Sequence, residues 1–423
     1  MAGGDTRDDQ SLYTRGERST VTPALEPAAP SAPRLTPIFD AIYASGAVGQ
    51  QVSAAAWLQA MLDVEAALAR ACAAEGLIEP HAAEAIAAEC QAERFDLRAL
   101  TAAGAEHAQP VVALVAALRK AVGEALAPLV HLGATSQDIL DTAAMLLARR
   151  ALDVSIPDAA AAARAAARLA VEHRDTPMTG RTLLQGALPT SFGLRAAGWL
   201  VGIDRALARL AFVREGELAV QMGGPAGTRG PTIAALVAEE LGLAEPTIPW
   251  ATIRVAPANL AGALGALAGV LGKIARDVTL LAQDEVGELR EGGPPGRGGS
   301  SAMAHKHNPV ASVSILACTR RVPGLVATLL ACMEQEHERA AGAWQAEWGT
   351  LTDLLALTGS AAAWARELLE ELDVDAARMR ENLERLAAAG VPEAREHERH
   401  LGAAGELIDR ALAAHTTTST GAR

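Results

Sequence analysis

The sequence predicts an all-α protein built around a long central helical bundle. Three observations carry this. Half of the 423 residues are hydrophobic yet only 3% are aromatic, so the apolar mass is Ala, Leu and Val. That mixture favours close helix packing, whereas a sandwich or barrel wants β-branched and aromatic residues. Apolar residues also recur at spacings of three and four along most of the chain from Thr36 onward. Several such segments exceed 25 residues, or about 38 Å at 1.5 Å per residue, a length that suits a bundle running through the molecule.

In chain order, residues 1–34 mix Asp, Arg, Ser and Thr with Pro23, Pro27, Pro30 and Pro33 and show no apolar period. This predicts a disordered arm. Helical patterns then follow at 52–75, 110–127, 137–151, 157–173, 190–214, 232–241 and 258–288. In the third of these, Ile139, Leu140, Ala143, Leu146 and Leu147 share one face, and Thr135 or Ser136 supplies the N-cap. Further helices are expected at 310–339 and 347–372, with short ones at 375–388 and 402–413. The most membrane-like stretch, 255–272, consists mainly of Ala and Gly and contains Pro257 and Asn259, which reads as a buried bundle helix. No internal repeat and no strand-rich domain is visible. The apolar surface of such long helices is hard to cover within one chain, so assembly by helix pairing is expected.

Thirty-seven basic against 50 acidic residues give a net charge of −13, which counts against nucleic acid as a partner. A small anionic substrate stays open, because a local cationic pocket fits inside an acidic protein. Cys72, Cys90, Cys318 and Cys332 are far apart and form no CxxC pair. With no charged-then-apolar export signal, the chain reads as a reduced, cytoplasmic protein with neither disulfide framework nor structural zinc, and with no membrane partner.

The most informative stretch is 292–309, GGPPGRGGSSAMAHKHNP. Pro294 and Pro295 forbid a helix through it, and Ser300, Ser301, Lys306 and Asn308 place hydroxyls, a cation and an amide together. It lacks the Gly-Lys-Ser/Thr order of a phosphate-cradling loop, and His305 and His307 have no third ligand nearby for a metal. Taken alone it reads as a flexible, solvated loop. Likewise HLGATSQDILDT at 131–142 reads locally as N-capping, although free N–H groups and hydroxyls there also favour an anion. GRTLLQGA at 180–187 and QMGGPAGT at 221–228 are weak by themselves.

In this order and spacing the four stretches resemble the fumarase/aspartase superfamily. Its GSSxMxxKxNP motif is met by Gly299, Ser300, Ser301, Met303, Lys306, Asn308 and Pro309, and the likeness runs from about Leu35 to Leu412. GATSQDILDT, GGPAGT, LGKIARDVTLLAQ and GAWQAEW look most like the 3-carboxy-cis,cis-muconate cycloisomerase branch, which also holds nitrosuccinate lyases. The resemblance implies a three-domain homotetramer with shared active sites and no cofactor. Its domains would be 35–108, 109–355 (carrying a catalytic loop, 291–309) and a shortened 356–423. The implied chemistry removes a proton beside a carboxylate and expels a group from the neighbouring carbon, or runs in reverse, so fixed cations must hold the aci-carboxylate. Ser300 is the implied base and Lys306 its catalytic partner. Ser301 and Asn308 are implied to hold a di- or tricarboxylate substrate, with Thr135, Ser136 and Gln137 from a different subunit. Arg181, Gln185, Arg254 and Arg321 are the remaining implied contacts.

The chain departs from that pattern where amine-releasing relatives carry histidines, at Leu183 and Gly186. It departs again at Ala251 and Gln345, where His is common on the branch, and it has Ala304 and His307 where Pro and Arg are usual. Without a nearby acid, amines and hydroxide leave poorly, whereas a carboxylate or nitrite does not need one. Fewer donors also suit a smaller dianion. The sequence therefore ranks nitrosuccinate to fumarate plus nitrite first and the cycloisomerase as the alternative. A catalytically silent homologue would have lost Ser300 or Lys306, and neither is lost.

Overall fold

The structure, a computed structural model, describes residues 39–299, 303 and 306–420. The predicted arm and Ser300, Ser301 and His305 lie outside the described residues. Two one-turn helices, α1 (Asp40–Tyr43) and α2 (Val48–Gln51), lead into α3 (Ala54–Ala74), whose N-cap Ser53 accepts from the Ala56 amide. Next come α4 (Pro80–Glu89), α5 (Leu97–Glu106, capped by Asp96) and α6 (Val111–Val122). The apolar period of α3 buries Leu58, Met61, Leu62, Val64 and Leu68 against Ile86, Leu114 and Leu118.

The seventh helix, α7 (Ser136–Glu172), is unbroken over 37 residues, about 55 Å. The sequence reading divides it at Pro157. The structure keeps it whole because Pro157 and Asp153, whose carbonyl loses its donor, both face solvent, where water replaces the missing hydrogen bond. A hairpin follows, β1 (Pro177–Thr182) paired antiparallel with β2 (Gln185–Ser191). The remaining long helices are α8 (Phe192–Gly216), α9 (Pro231–Leu241), α10 (Val255–Leu281), α11 (Val310–Ala331) and α12 (Ala343–Glu370). The short strand β3 (Leu289–Glu291) pairs antiparallel with β4 (Leu372–Val374), and α13 (Ala376–Ala388), α14 (His397–His400) and α15 (Ala404–Thr420) complete the described chain. The fold is thus mostly helical with two small two-stranded sheets that the periodicity does not reveal.

Helices α7, α8, α10, α11 and α12 form the central bundle. Both α10 and α11 are long and apolar enough to cross a membrane, and here α10 packs against α8, α11 and α12. Small residues permit the close crossings: a Cβ at Gly272 would sit 2.9 Å from the Thr319 hydroxyl of α11. Helix α12 runs through the 355/356 boundary read from the sequence, so the bundle retains residues to Glu370. Helices α7, α10 and α12 all start at one end of the bundle, where Arg254 meets Asp141 and Glu347. The two hairpin-like sheets lie at the other, where Arg181 meets Glu288.

Candidate active site

The start of α7 is a corner organised around a buried carboxylate. Thr135 is its N-cap in a capping box with Asp138. The fully buried Asp138 carboxylate accepts from the amides of Thr135 (3.0 Å), Gly223 (2.9 Å) and Gly224 (2.8 Å) and from Gln221 Nε2 (3.2 Å). Burial pushes its pKa up, and those four donors oppose the shift. One carboxylate thereby locks the 131–142 and 221–228 motifs together. Gln221 Oε1 in turn accepts from the Trp250 amide at 2.7 Å, which brings in the 250–254 stretch.

Arg339, which the sequence reading does not single out, completes the corner. Its Nη1 donates to Thr135 Oγ1 at 2.7 Å and its Nη2 to the Pro225 carbonyl at 3.1 Å. A guanidinium carries five N–H donors, so most remain for a ligand. The Ser136 and Gln137 amides lie in the first turn, where the helix supplies no acceptor. A cation, a hydroxyl and two amides at the positive end of a long helix suit a carboxylate. Four residues earlier His131 holds φ +64° and its Nδ1 lies 2.6 Å from the buried Glu65. The only sequence signal for Arg339 is its place in a charged loop between two long helices.

Two of the expected contacts have side chains that face inward. The Gln137 side chain is fully buried and its Nε2 donates to the Ala251 carbonyl at 2.6 Å and to Asp141 at 3.0 Å, so its donor end is committed to the fold. Arg254, 3% exposed, directs all five donors at Asp141, Glu347 and the Ala251 carbonyl, with its guanidinium 4.7 Å above the Trp250 ring. Burial pushes its pKa down, but Asp141 and Glu347 push it up further. It stays charged, and it has no donor left for a substrate.

At the far end, Arg181 makes two bonds to the buried Glu288 (2.9 and 2.7 Å), which also accepts from Asn382 Nδ2 at 2.7 Å. Glu288 and Asn382, both outside the sequence expectation, thus tie the hairpin to β3 and α13. Gln185 is exposed beside the hairpin tip, where Leu183 and Leu184 point outward. The base of the 292–309 loop is fastened twice. The Asn308 amide and side chain both donate to the Gly298 carbonyl, at 2.8 and 2.9 Å, and Glu291 accepts from the Ala311 and Ser312 amides, capping α11. Arg297 pairs with Glu367 and lies over the Trp364 ring. Lys306 is exposed, and His307 Nε2 accepts from Arg290 at 3.1 Å.

Arg321 belongs to neither end. It sits midway along α11, over the Tyr43 ring and 3.4 Å from Asp353. The expected residues therefore divide: Thr135 and Ser136 stand at one end, Lys306, Asn308, Arg181 and Gln185 at the other. The 27 residues of α10 separate them, about 40 Å.

A family described as lyase matches residues 40–324. The chain is 46% identical over 359 residues to the 3-carboxy-cis,cis-muconate cycloisomerase of Bradyrhizobium diazoefficiens, covering 83% of this chain and 80% of that protein. It is 44% identical over 374 residues to the nitrosuccinate lyase of Streptomyces davaonensis, covering 83% and 79%. In structure it resembles the 3-carboxy-cis,cis-muconate lactonizing enzyme of Pseudomonas putida, with a TM-score of 0.82 at 37% identity over 90% of this chain and 99% of the other. On its motifs, its bundle and these likenesses, the chain belongs to the lyase family of the fumarase/aspartase superfamily and is an enzyme of that kind.

Proposed function

We propose that this enzyme is a 3-carboxy-cis,cis-muconate cycloisomerase, a soluble cytoplasmic homotetramer with active sites shared between subunits. The observation that carries it is the likeness to cycloisomerases in sequence and fold along four fifths or more of each chain. This reverses the order read from the sequence, where the fewer donors left by Ala251 and Gln345 suit a smaller dianion and put nitrite release first. The absence of histidine at Leu183 and Gly186 fits either reading, because a lactonising carboxylate and nitrite alike need no proton to leave.

In the proposed reaction a substrate carboxylate oxygen bonds to one alkene carbon. The electron pair of the double bond moves to the neighbouring carbon and its carboxylate, which is held as the aci form. The Ser300 hydroxyl then delivers a proton to that carbon and is reprotonated from solvent, so each turnover takes up one proton, the ring and the open-chain acid are isomers, and nothing leaves. Lys306 and Asn308 would hold one carboxylate. Thr135, the Ser136 and Gln137 amides and Arg339 would hold another, brought from a second subunit, because one chain keeps the two groups about 40 Å apart.

A second reading is favoured by one observation, the 44% identity to a nitrosuccinate lyase. There Ser300 would take a proton from nitrosuccinate and the C–N bonding pair would leave with nitrite, giving fumarate. A substrate panel followed by ultraviolet absorbance separates the two. Loss of carboxymuconate without nitrite is expected, and fumarate with nitrite from nitrosuccinate alone would overturn the proposal.

A further inference from the structure

The guanidinium of Arg339 comes from an irregular loop, residues 332–342, that joins α11 to α12. A long side chain on such a loop keeps one position only where the loop itself is fixed. Glu334, Glu336, His337 and Glu338 are exposed, whereas Gln335 turns inward. Its Nε2 donates to the Cys332 carbonyl at the end of α11 and to Glu347 Oε1 in α12, each at 3.0 Å, so both hydrogens are spent. Its Oε1 is buried with no partner among the described residues, a cost that an outward-turned side chain would escape.

These bonds close a ring. Glu347 Oε1 also accepts from Arg254 Nε at 2.9 Å, and Arg254 Nη1 donates to Asp141 of α7 at 2.7 Å. Asp141 stands on the same helix that Thr135 caps, and Arg339 Nη1 rests on Thr135. The loop is therefore tied to the start of α7 twice. Arg339 makes one tie directly, and Gln335 makes the other through Glu347 and Arg254. All three charged members of the second tie are buried, where a satisfied network is rigid. Thr252 Oγ1, donating to the His337 carbonyl at 2.9 Å, supports the loop between the two ties.

We propose that Gln335 is a positioning residue for substrate binding. It passes the fixed position of the Asp141, Arg254 and Glu347 cluster to the loop, and so sets where the Arg339 guanidinium meets a substrate carboxylate. This rests on the reading that Arg339 holds such a carboxylate, and it adds the residue that keeps the guanidinium in place.

Two measurements on the full chain test it. Gln335→Met keeps the length of the side chain and removes both hydrogen bonds. The Arg339 and Ala341 amides donate to the Glu336 carbonyl and carboxylate. Without substrate they should exchange about tenfold faster in the variant than in the parent, with the α10 amides unchanged. Equal exchange would overturn the proposal. The second measurement is a double-mutant cycle with Arg339→Ala, assayed on whichever of carboxymuconate and nitrosuccinate the parent turns over. Alone, Gln335→Met should raise KM about tenfold, the effect of losing roughly one hydrogen bond to a charged group, with kcat within about twofold. In the Arg339→Ala background it should change KM no further, because the guanidinium it places is gone. The same rise in both backgrounds would overturn Gln335 as the residue that places Arg339 and leave the corner standing. An unchanged KM in Arg339→Ala itself would overturn the corner as a carboxylate site, and this proposal with it. Gln335→Asn keeps the amide but falls one methylene short, so it should repeat the pattern, and it replaces the Met variant if that one misfolds.

Discussion

Arg254 holds two buried carboxylates, Asp141 and Glu347, with one guanidinium, so the cluster carries a surplus negative charge. Burial pushes the Glu347 pKa up, and Arg254 offsets only part of that rise. A folded pKa above the unfolded one means that the native state binds the proton more tightly. Glu347's contribution is then fully present below the ordinary carboxylate pKa and lost as pH rises through the folded value. Urea unfolding of parent and Glu347→Gln between about pH 4 and about pH 7 should therefore show the parent losing stability relative to the variant as pH rises. Parallel curves would mean that Arg254 compensates the charge fully. A second residue-scale test concerns the missing acid at Gly186, where a Cβ would lie 2.8 Å from Leu386 Cδ1. Gly186→His should lower Tm, since overpacking costs about 1–3 kcal/mol, and should not raise turnover. Adding Leu386→Ala should restore Tm. A rate gain in that double variant would reveal a leaving group that wants a proton and would favour amine- or hydroxide-releasing chemistry.

At the scale of elements, the hairpin tip is strained. Leu183 and Leu184 hold φ of +50° and +65°, the left-handed pair of a type I′ turn that Asn-Gly adopts at far lower cost. Leu183→Asn with Leu184→Gly should raise stability by about 1–2 kcal/mol, read as a higher Tm, and an unchanged or lower Tm would mean that the leucines are held by packing. The same tip explains why the hairpin is hidden in the sequence: Leu-Leu carries no turn chemistry, and Thr179 to Ser191 has little alternation. The long helices were legible because their apolar period is sustained. Pro157 misled, since local chemistry argues for a break and only the solvent exposure of that face, a tertiary fact, allows continuity. In the site, Thr135, Lys306 and Asn308 announce themselves by motif. Gln137 and Arg254 sit in equally conspicuous stretches, yet their side chains turn inward to tie loops together, and spacing along the chain carries no information about that. Arg339 and Asp138 escaped for the complementary reason: their importance lies in which distant segments they join.

For the whole molecule, the proposed shared site requires motif clusters at opposite ends of one bundle to be joined across subunits. Helix α11 leaves Val313 and Leu330 about half exposed, and the neighbouring face of α10 presents Gly262, Gly269 and Lys273 to solvent, small residues between which the side chains of another bundle would fit. An antiparallel neighbour on that face would carry its Thr135 corner toward this chain's Lys306 loop, which is the arrangement the proposed shared site requires. Complementation tests it directly. Thr135→Ala removes the hydroxyl at one end and Ser300→Ala removes the implied base at the other, so each homomer should be nearly inactive. In a hybrid, a site that draws its corner from the Ser300→Ala chain and its loop from the Thr135→Ala chain is intact. Mixing the two variants after partial denaturation should therefore recover a sizeable fraction of parental turnover. The recovery should follow the binomial distribution of subunits as the mixing ratio changes. If subunit exchange is verified by mass and no ratio recovers activity, the two ends do not serve one substrate and the shared site fails. Ser300→Ala alone also separates two roles. A loss of several orders of magnitude in kcat with an intact assembly fits a proton carrier, whereas equal, modest losses from Ser300→Ala and Ser301→Ala would assign both hydroxyls to binding.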